Sequence, residues 1–233
     1  MSIYAISDLH LSFITNKPMD IFGDNWENHS GKIKENWLKT VTENDTVLLP
    51  GDFSWGMTFE EAKPDFEFLN NLPGRKILLK GNHDYWWGTA NKIKEFLSTN
   101  KFDNIDILYN NSYLIEDKII CGTRGWTIVN NTEDDEKILK RELLRLEMSL
   151  KDGTQKYGKD KEIIVCMHYP PTSEILKENS EFMKIMKIYN VSKCVYGHLH
   201  GESHKEAIQG NIGGNLVQLV SCDYTEFKLI KLN

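Results

Sequence analysis

The chain has 233 residues, 40% of them apolar and 27% charged, with a formal net charge of -6. That balance excludes an intrinsically disordered chain, argues against a broad basic surface gripping a nucleic-acid backbone, and disfavours duplex DNA as a partner. No stretch approaches the roughly 20 apolar residues of a membrane span, and the opening "MSIYAISDLHLSF" lacks the cationic lead of a secretion signal, so a soluble, cytoplasmic protein of one domain over residues 1–233 is expected.

In chain order, short apolar runs alternate with amphipathic ones: "IYAIS" then "KIKENWLKTVT", "TVLLP" then "FEEAKPDFEFLNNL", "KILLK" then "ANKIKEFLST". This βαβα order predicts a largely parallel sheet flanked by helices. Proline is best tolerated in a first helical turn, so the second helix is expected to begin near Pro64. From residue 104 the pattern turns to strands, "IDILYN", "SYLIED" and "KIICG". A long helix over about 132–151 follows, with Thr132 as its N-cap and Glu133 to Glu136 at its positive end. Its stripe of Leu139, Leu143, Leu146 and Leu150 is expected to dock on the protein's own sheet. The strand "EIIVCMHYPP", a helix near 178–189, the strand "KCVYGHLHG" and terminal strands in "IGGNLVQLVS" and "EFKLIKLN" complete a sheet-rich C-terminal half. Cys121, Cys166, Cys194 and Cys222 form no CxxC pair and lie in or beside β-like runs, which predicts buried, reduced thiols.

The chemistry collects where strands give way to loops. "SDLH" supplies Asp8 and His10, "PGD" Asp52, "KGNHD" Asn82, His83 and Asp84, "MHYPP" His168, and "YGHLH" His198 and His200. Sites in α/β sheets form beyond the carboxyl ends of strands, so residues spread over most of the chain can meet in one crevice. In an extended segment, positions i and i+2 share a face, so His198 and His200 are expected to face one object. Singly, each motif reads equally as turn chemistry or as a core histidine; the joint pattern at five strand ends does not.

In this order, D-x-H, G-D, G-N-H-D, H and G-H-x-H resemble the calcineurin-like metallophosphoesterase superfamily in its phosphodiesterase-type spelling, over residues 8 to 200. The resemblance implies an α/β (α+β) fold, a four-layer α/β/β/α sandwich of two mixed sheets, with a two-metal centre at one edge. It implies that Asp8, His10 and His200 hold one metal and Asn82, His168 and His198 the other, with Asp52 bridging both. Carboxylate, imidazole and amide oxygen without thiolate suit two ions of Mn, Fe or Zn. Two divalent ions less two carboxylates leave the pocket at about +2, which draws phosphate. The implied activity is in-line attack of a metal-bridging hydroxide on a small phosphomono- or diester, a nucleotide among the options. His83, Asp84 and Arg124 are the catalytic candidates: His83 as acid to the leaving alkoxide or stabiliser of charge on the phosphoryl oxygens, Asp84 as its neighbour in the motif, and Arg124 in "CGTRGW" as a phosphate clamp or, equally, a surface arginine in a turn.

The chain departs from the superfamily's protein phosphatases at "GDFSWGM", where Trp55 and Gly56 stand in place of an orienting Asp and a phosphate-gripping Arg. That leaves the orienter of His83 open and makes a phosphoprotein a poorer substrate. A ring of "DYWWG" (Tyr85, Trp86, Trp87) near the metals can stack on a flat leaving group, but core or loop packing is the expected role of most of the six tryptophans, with at most one or two meeting substrate; His29 and His204, outside every motif, are read as surface residues. The competing readings are a non-catalytic scaffold of the same fold, which is expected to lose ligands, and a nuclease, which is expected to carry a basic extension.

Overall fold

The computed structural model describes residues 1–128 and 132–233. Strands β1 (Ile3–Ala5), β2 (Thr46–Leu49), β3 (Arg75–Leu78) and β4 (Ile105–Ile107) run parallel, and the C-terminal β11 (Ile230–Lys231) pairs antiparallel with β1 to give the order β11-β1-β2-β3-β4. A second sheet has the order β5-β6-β7-β8-β10-β9, from β5 (Tyr113–Ile115), β6 (Lys118–Thr123), β7 (Glu162–Met167), β8 (Lys193–Tyr196), β9 (Gly210–Ile212) and β10 (Asn215–Leu219). Its four central strands are parallel and its two edge strands antiparallel, so both sheets are mixed.

Near-continuous apolar strands are the signature of sheets covered on both faces, and alternate residues here do go to opposite layers. Ile3, Ala5, Leu48 and Ile77 face Ile120, Ile164, Cys166 and Val195 between the sheets. Tyr4, Val47, Leu49 and Leu78 turn the other way, onto Ile33 and Trp37 of α1 (His29–Thr40), Phe66 and Leu69 of α2 (Phe59–Asn70), and Ile93 and Leu97 of α3 (Ala90–Thr99). On the far side, Ile119, Cys121, Val165 and Tyr196 pack on Leu146 and Leu150 of α4 (Glu133–Tyr157) and on Phe182 and Met186 of α5 (Glu181–Ile188). The four-layer sandwich implied by the sequence resemblance is the observed architecture. The leucine stripe of α4 docks on its own sheet, and all four thiols are buried and unbridged. Among the described residues, no helix is long and apolar enough to cross a membrane.

Three local expectations change. Helix α2 starts a turn and a half before Pro64, because Thr58 caps it by accepting from the Glu61 N–H at 3.3 Å; Pro64 sits inside the helix, which is held by the burial of Phe66 and Leu69. Helix α4 has the expected cap, Thr132 accepting from the Asp135 N–H at 3.1 Å, but runs on to Tyr157. Gly153 does not end it: a Cβ there falls 2.5 Å from Ile119, so the glycine serves close helix–sheet contact. The terminal strand β11 belongs to the first sheet, not to the C-terminal one.

Candidate metal centre

The loops after β1, β2, β3, β7 and β8 gather along one rim. The β1 and β2 loops continue their strands' ladder, with Asp8 N–H donating to Gly51 O at 2.9 Å and His10 N–H to Asp52 O at 3.0 Å. Across the sandwich, Ser7 N–H donates to Val220 O and Cys222 N–H to Ser7 O, so the two sheets are tied together at this rim. Glycine is required where loops touch: a Cβ on Gly81 meets Asp52 Oδ1 at 2.0 Å, and one on Gly197 meets Asp8 Oδ2 at 2.2 Å. Asp8, His10, Asp52 and His198 all adopt positive φ, between 45° and 74°, a conformation that costs non-glycine residues of order 1–3 kcal/mol and persists only where surroundings enforce it.

The seven predicted side chains come together. His200 Nε2 lies 3.2 Å from Asp8 Oδ1 and 3.3 Å from His10 Nε2, and His10 Nε2 is 3.9 Å from Asp52 Oδ2. At the other end, His168 Nε2 is 3.4 Å from Asp52 Oδ2 and 2.6 Å from Asn82 Oδ1, while His198 Nδ1 is 2.9 Å from the same amide oxygen. Asp52 stands between the two groups.

The donor atoms fit cations better than they fit one another. His168 Nδ1 lies 3.0 Å from Pro50 O, a carbonyl that can only accept, so this nitrogen carries the proton and Nε2 of the neutral ring presents a lone pair to Asn82 Oδ1 and Asp52 Oδ2. His200 is supported likewise from behind, with Nδ1 2.9 Å from Asp223 Oδ1, while its Nε2 faces Asp8 and, without a cation, carries a second proton in the place a cation would take. Acceptors aimed at acceptors in a buried site are reconciled by a positive ion, and a second carboxylate or carbonyl behind each imidazole is the usual support of a metal-binding histidine. Without a cation the crowded groups titrate far from their ordinary values. Burial, then the Asp8 carboxylate, pushes Asp52 up to about 8. Burial depresses His198 to about 3, whereas for His200 the Asp8 and Asp223 carboxylates outweigh burial and raise it to about 10.

Asp84 is not in the cleft. Fully buried, it accepts from the N–H groups of Asp52 (3.0 Å), Phe53 (3.0 Å), Ser54 (3.3 Å) and Gly81 (2.7 Å) and from Trp86 Nε1 (3.1 Å), so it fastens the β2 and β3 loops together and has no path to a reacting atom. Arg124 is likewise placed elsewhere. Its guanidinium stacks on Trp126 and lies 3.9 Å from Glu142, a fully buried carboxylate that also pairs with Arg145 (2.7 Å) and Arg141 (3.3 Å). Three of the chain's four arginines face that carboxylate, because a buried Glu142 without partners is costly; Arg141 and Arg145 hydrogen-bond it, whereas Arg124 stands off and its Nε is buried without a partner. The backbone of Arg124 does serve the rim, its carbonyl accepting from His168 N–H at 3.1 Å.

His83 is half-buried at the rim, with its Nδ1 buried and without a hydrogen-bond partner. Its support is Trp55, whose ring lies 4.4 Å from the His83 ring and stacks on His10 at 5.0 Å. The tryptophan that departs from the phosphatase pattern therefore packs where an orienting carboxylate was in question. Trp86 and Trp87 are core residues, while Tyr85 is exposed with its ring 6.1 Å from His83. His29 and His204 are not surface residues: His29 is half-buried against Trp26, and His204 Nε2 is 3.2 Å from Asp223 Oδ2.

Asp223 itself escaped the sequence reading. It follows β10 in "LVSCD", one more acid just past a strand end, and that position was the available signal. Trp26, buried with its ring 5.7 Å from His200, had none.

The family profile described as calcineurin-like phosphoesterase matches residues 1–202. Gene 66 protein of Mycobacterium phage L5 is 33% identical over 78 residues, 34% of this chain, and the match spans 37% of that relative's length. Among solved structures, a protein of unknown function from Aquifex aeolicus, AQ665, is 20% identical with a TM-score of 0.51, covering 99% of this chain and 95% of its own. TT1561 of Thermus thermophilus is 13% identical with a TM-score of 0.57, covering 99% and 97%. At these identities the structural likenesses establish the fold alone.

Proposed function

The chain belongs to the calcineurin-like phosphoesterase family, a family of metal-dependent phosphoester hydrolysis, and from that premise we propose that it hydrolyses a small phosphoester at a dinuclear centre. Asp8, His10 and His200 would hold one cation, Asn82, His168 and His198 the other, and Asp52 would serve both. The ions, of Mn, Fe or Zn, supply positive charge for the phosphoryl oxygens and lower the pKa of a water. The observation that carries this reading is the convergence of seven donor side chains from five strand ends, acceptor against acceptor at His168, Asn82 and Asp52, with carboxylate or carbonyl support behind His200 and His168.

The chain's own groups account for the rest of the step. His83 gives a proton to the departing oxygen as the P–O bond breaks, and Trp55 fixes the imidazole by packing. Asp84 acts one layer back, holding the loops of Asp52 and His83 in register. Four buried thiols suit a reducing compartment, so we place the protein in the cytoplasm. The test is elemental analysis of Mn²⁺-loaded protein beside turnover of p-nitrophenyl phosphate and bis-p-nitrophenyl phosphate, with Asp52→Asn as control. Two ions per chain and hydrolysis that stops on chelation are expected; neither uptake nor turnover overturns the proposal.

A further inference from the structure

Two cavities open at opposite ends of the seven-residue cluster. One, of about 550 Å³, is lined by His10, His200, His83, Trp26, Trp55 and Phe22 among others. The other, of about 460 Å³, is lined by His198, Tyr169, Trp126, Ile128, Pro170 and Ile175 among others. They share no lining residue. The 3-10 helix Gly201–Glu206 gives its first two residues to the former and its last two to the latter, so it stands as a wall between them. Each is large enough for a small-molecule substituent.

We infer that the substrate is a phosphodiester with two flat or apolar arms, the leaving arm seated in the Trp26–Trp55 chamber and the retained arm in the Trp126–Tyr169 chamber. This rests on the phosphoester-hydrolase reading above. His83 lines only the first chamber, so the oxygen it protonates departs there. In an in-line displacement the leaving oxygen lies opposite the attacking water, while the retained substituent lies in the equatorial plane; the two arms leave phosphorus in different directions and need separate space. Each chamber continues outward from an imidazole of the centre through aromatic rings. Trp55 lies 5.0 Å from His10 in the first, and in the second Tyr169 lies 4.2 Å from His198, with Trp126 5.1 Å beyond it.

The second chamber is also ill-suited to the extra charged oxygen of a monoester. Its cation among the lining residues, Lys205, is paired with Glu202, the carboxylates Glu174 and Glu206 line the same space, and Arg124, the nearest arginine in sequence, lies over Trp126 with Glu142 at 3.9 Å. The reaction balances simply: the oxygen of water bonds to phosphorus, the bond to the leaving oxygen breaks with its electron pair, that oxygen takes a proton from His83, and the proton lost by water returns to solvent. A phosphomonoester and an alcohol result.

Two pairs of probes test this on the Mn²⁺-loaded protein. Methyl p-nitrophenyl phosphate and bis-p-nitrophenyl phosphate share a leaving group and differ in the retained arm; benzyl(methyl)phosphinate and dibenzylphosphinate differ alike and cannot be hydrolysed. A stacked ring predicts at least about fivefold higher kcat/KM for the bis-aryl ester, and an equal gain in calorimetric affinity for the dibenzyl compound. Trp126→Ala, and Ile175→Asp at a position 92% exposed and so tolerant of change, erase both gains, while Trp26→Ala lowers kcat/KM for both esters. Equal kcat/KM for the two esters, or Trp126→Ala and Ile175→Asp acting on both esters alike, overturns the two-armed assignment. Failure of the underlying reading looks different: no metal-dependent turnover of any ester and no metal-dependent binding of either phosphinate.

Discussion

The two ends of the candidate centre use the same donor types but are braced differently. At the His10–His200 end, the carboxylate of Asp223 stands behind His200 at 2.9 Å, and Trp26 and Trp55 enclose both rings. At the His168–His198 end, the support is a neutral backbone carbonyl, Pro50 O behind His168, with Tyr169 over His198. The ends also differ electrostatically: Asp8 first and Asp223 with it raise His200 to about 10, whereas burial drives His198 down to about 3. An imidazole backed by a carboxylate is the more basic ligand, so the first end is expected to hold its cation more tightly.

Asp52 is the residue common to both ends, and its loss tests the comparison hardest. Removing one preorganised electrostatic group costs about 10²–10³-fold, and here it serves two positions, so Asp52→Asn is expected to lower kcat/KM by about 10⁴-fold or more and to reduce bound metal below two ions per chain. His83→Ala leaves metal content at two ions and lowers kcat by about 10²–10⁴-fold on an ester with a poor leaving group; full retention of activity on that ester removes His83 from the acid's role.

Asp65 braces the first end from behind by accepting from Ser54, next to Trp55, and from the Phe13 N–H at 3.0 Å. Burial raises it from 3.8 to about 6. A folded-state pKa above the unfolded one means that the native state holds the proton more tightly, so this contribution is present below pH 4 and lost as pH rises through 6, amounting to about 3 kcal/mol. Asp65→Asn, which cannot ionise, should therefore gain on the wild type across that window in denaturant-melt stability; a constant difference between the two contradicts the assignment. The smallest effect is the most diagnostic. Asp223→Asn should weaken one of the two ions by about 10–100-fold in a chelator competition and leave the other unchanged, and equal weakening of both erases the distinction between the ends.

The sequence made the centre legible because each side chain follows a strand, where the backbone's direction is fixed by pairing and two or three residues suffice to write the motif. The sandwich's helices and central strands were legible for the same reason, through periodicity. The walls were not. Trp26 lies on a 3-10 turn and Tyr169 in an irregular loop, where no periodic pattern says which way a ring points. Asp84 misled for the opposite reason: proximity in sequence to His83 says nothing about depth, and a fully buried carboxylate with five donors is indistinguishable from a reactive one until its partners are seen. Arg124 was misplaced because its partner, Glu142, lies in a helix that gives no hint of holding a buried acid.

The backbone bonds joining Ser7 to Val220 and Cys222 stitch the sandwich together at the very rim where the donors meet. A clamshell opening of the two halves must therefore pull Asp8 away from His200 before anything else. Ions bound between them would act as a latch on that motion, and the exchange of the Ser7 and Cys222 amides with solvent deuterium would gauge whether the latch is shut.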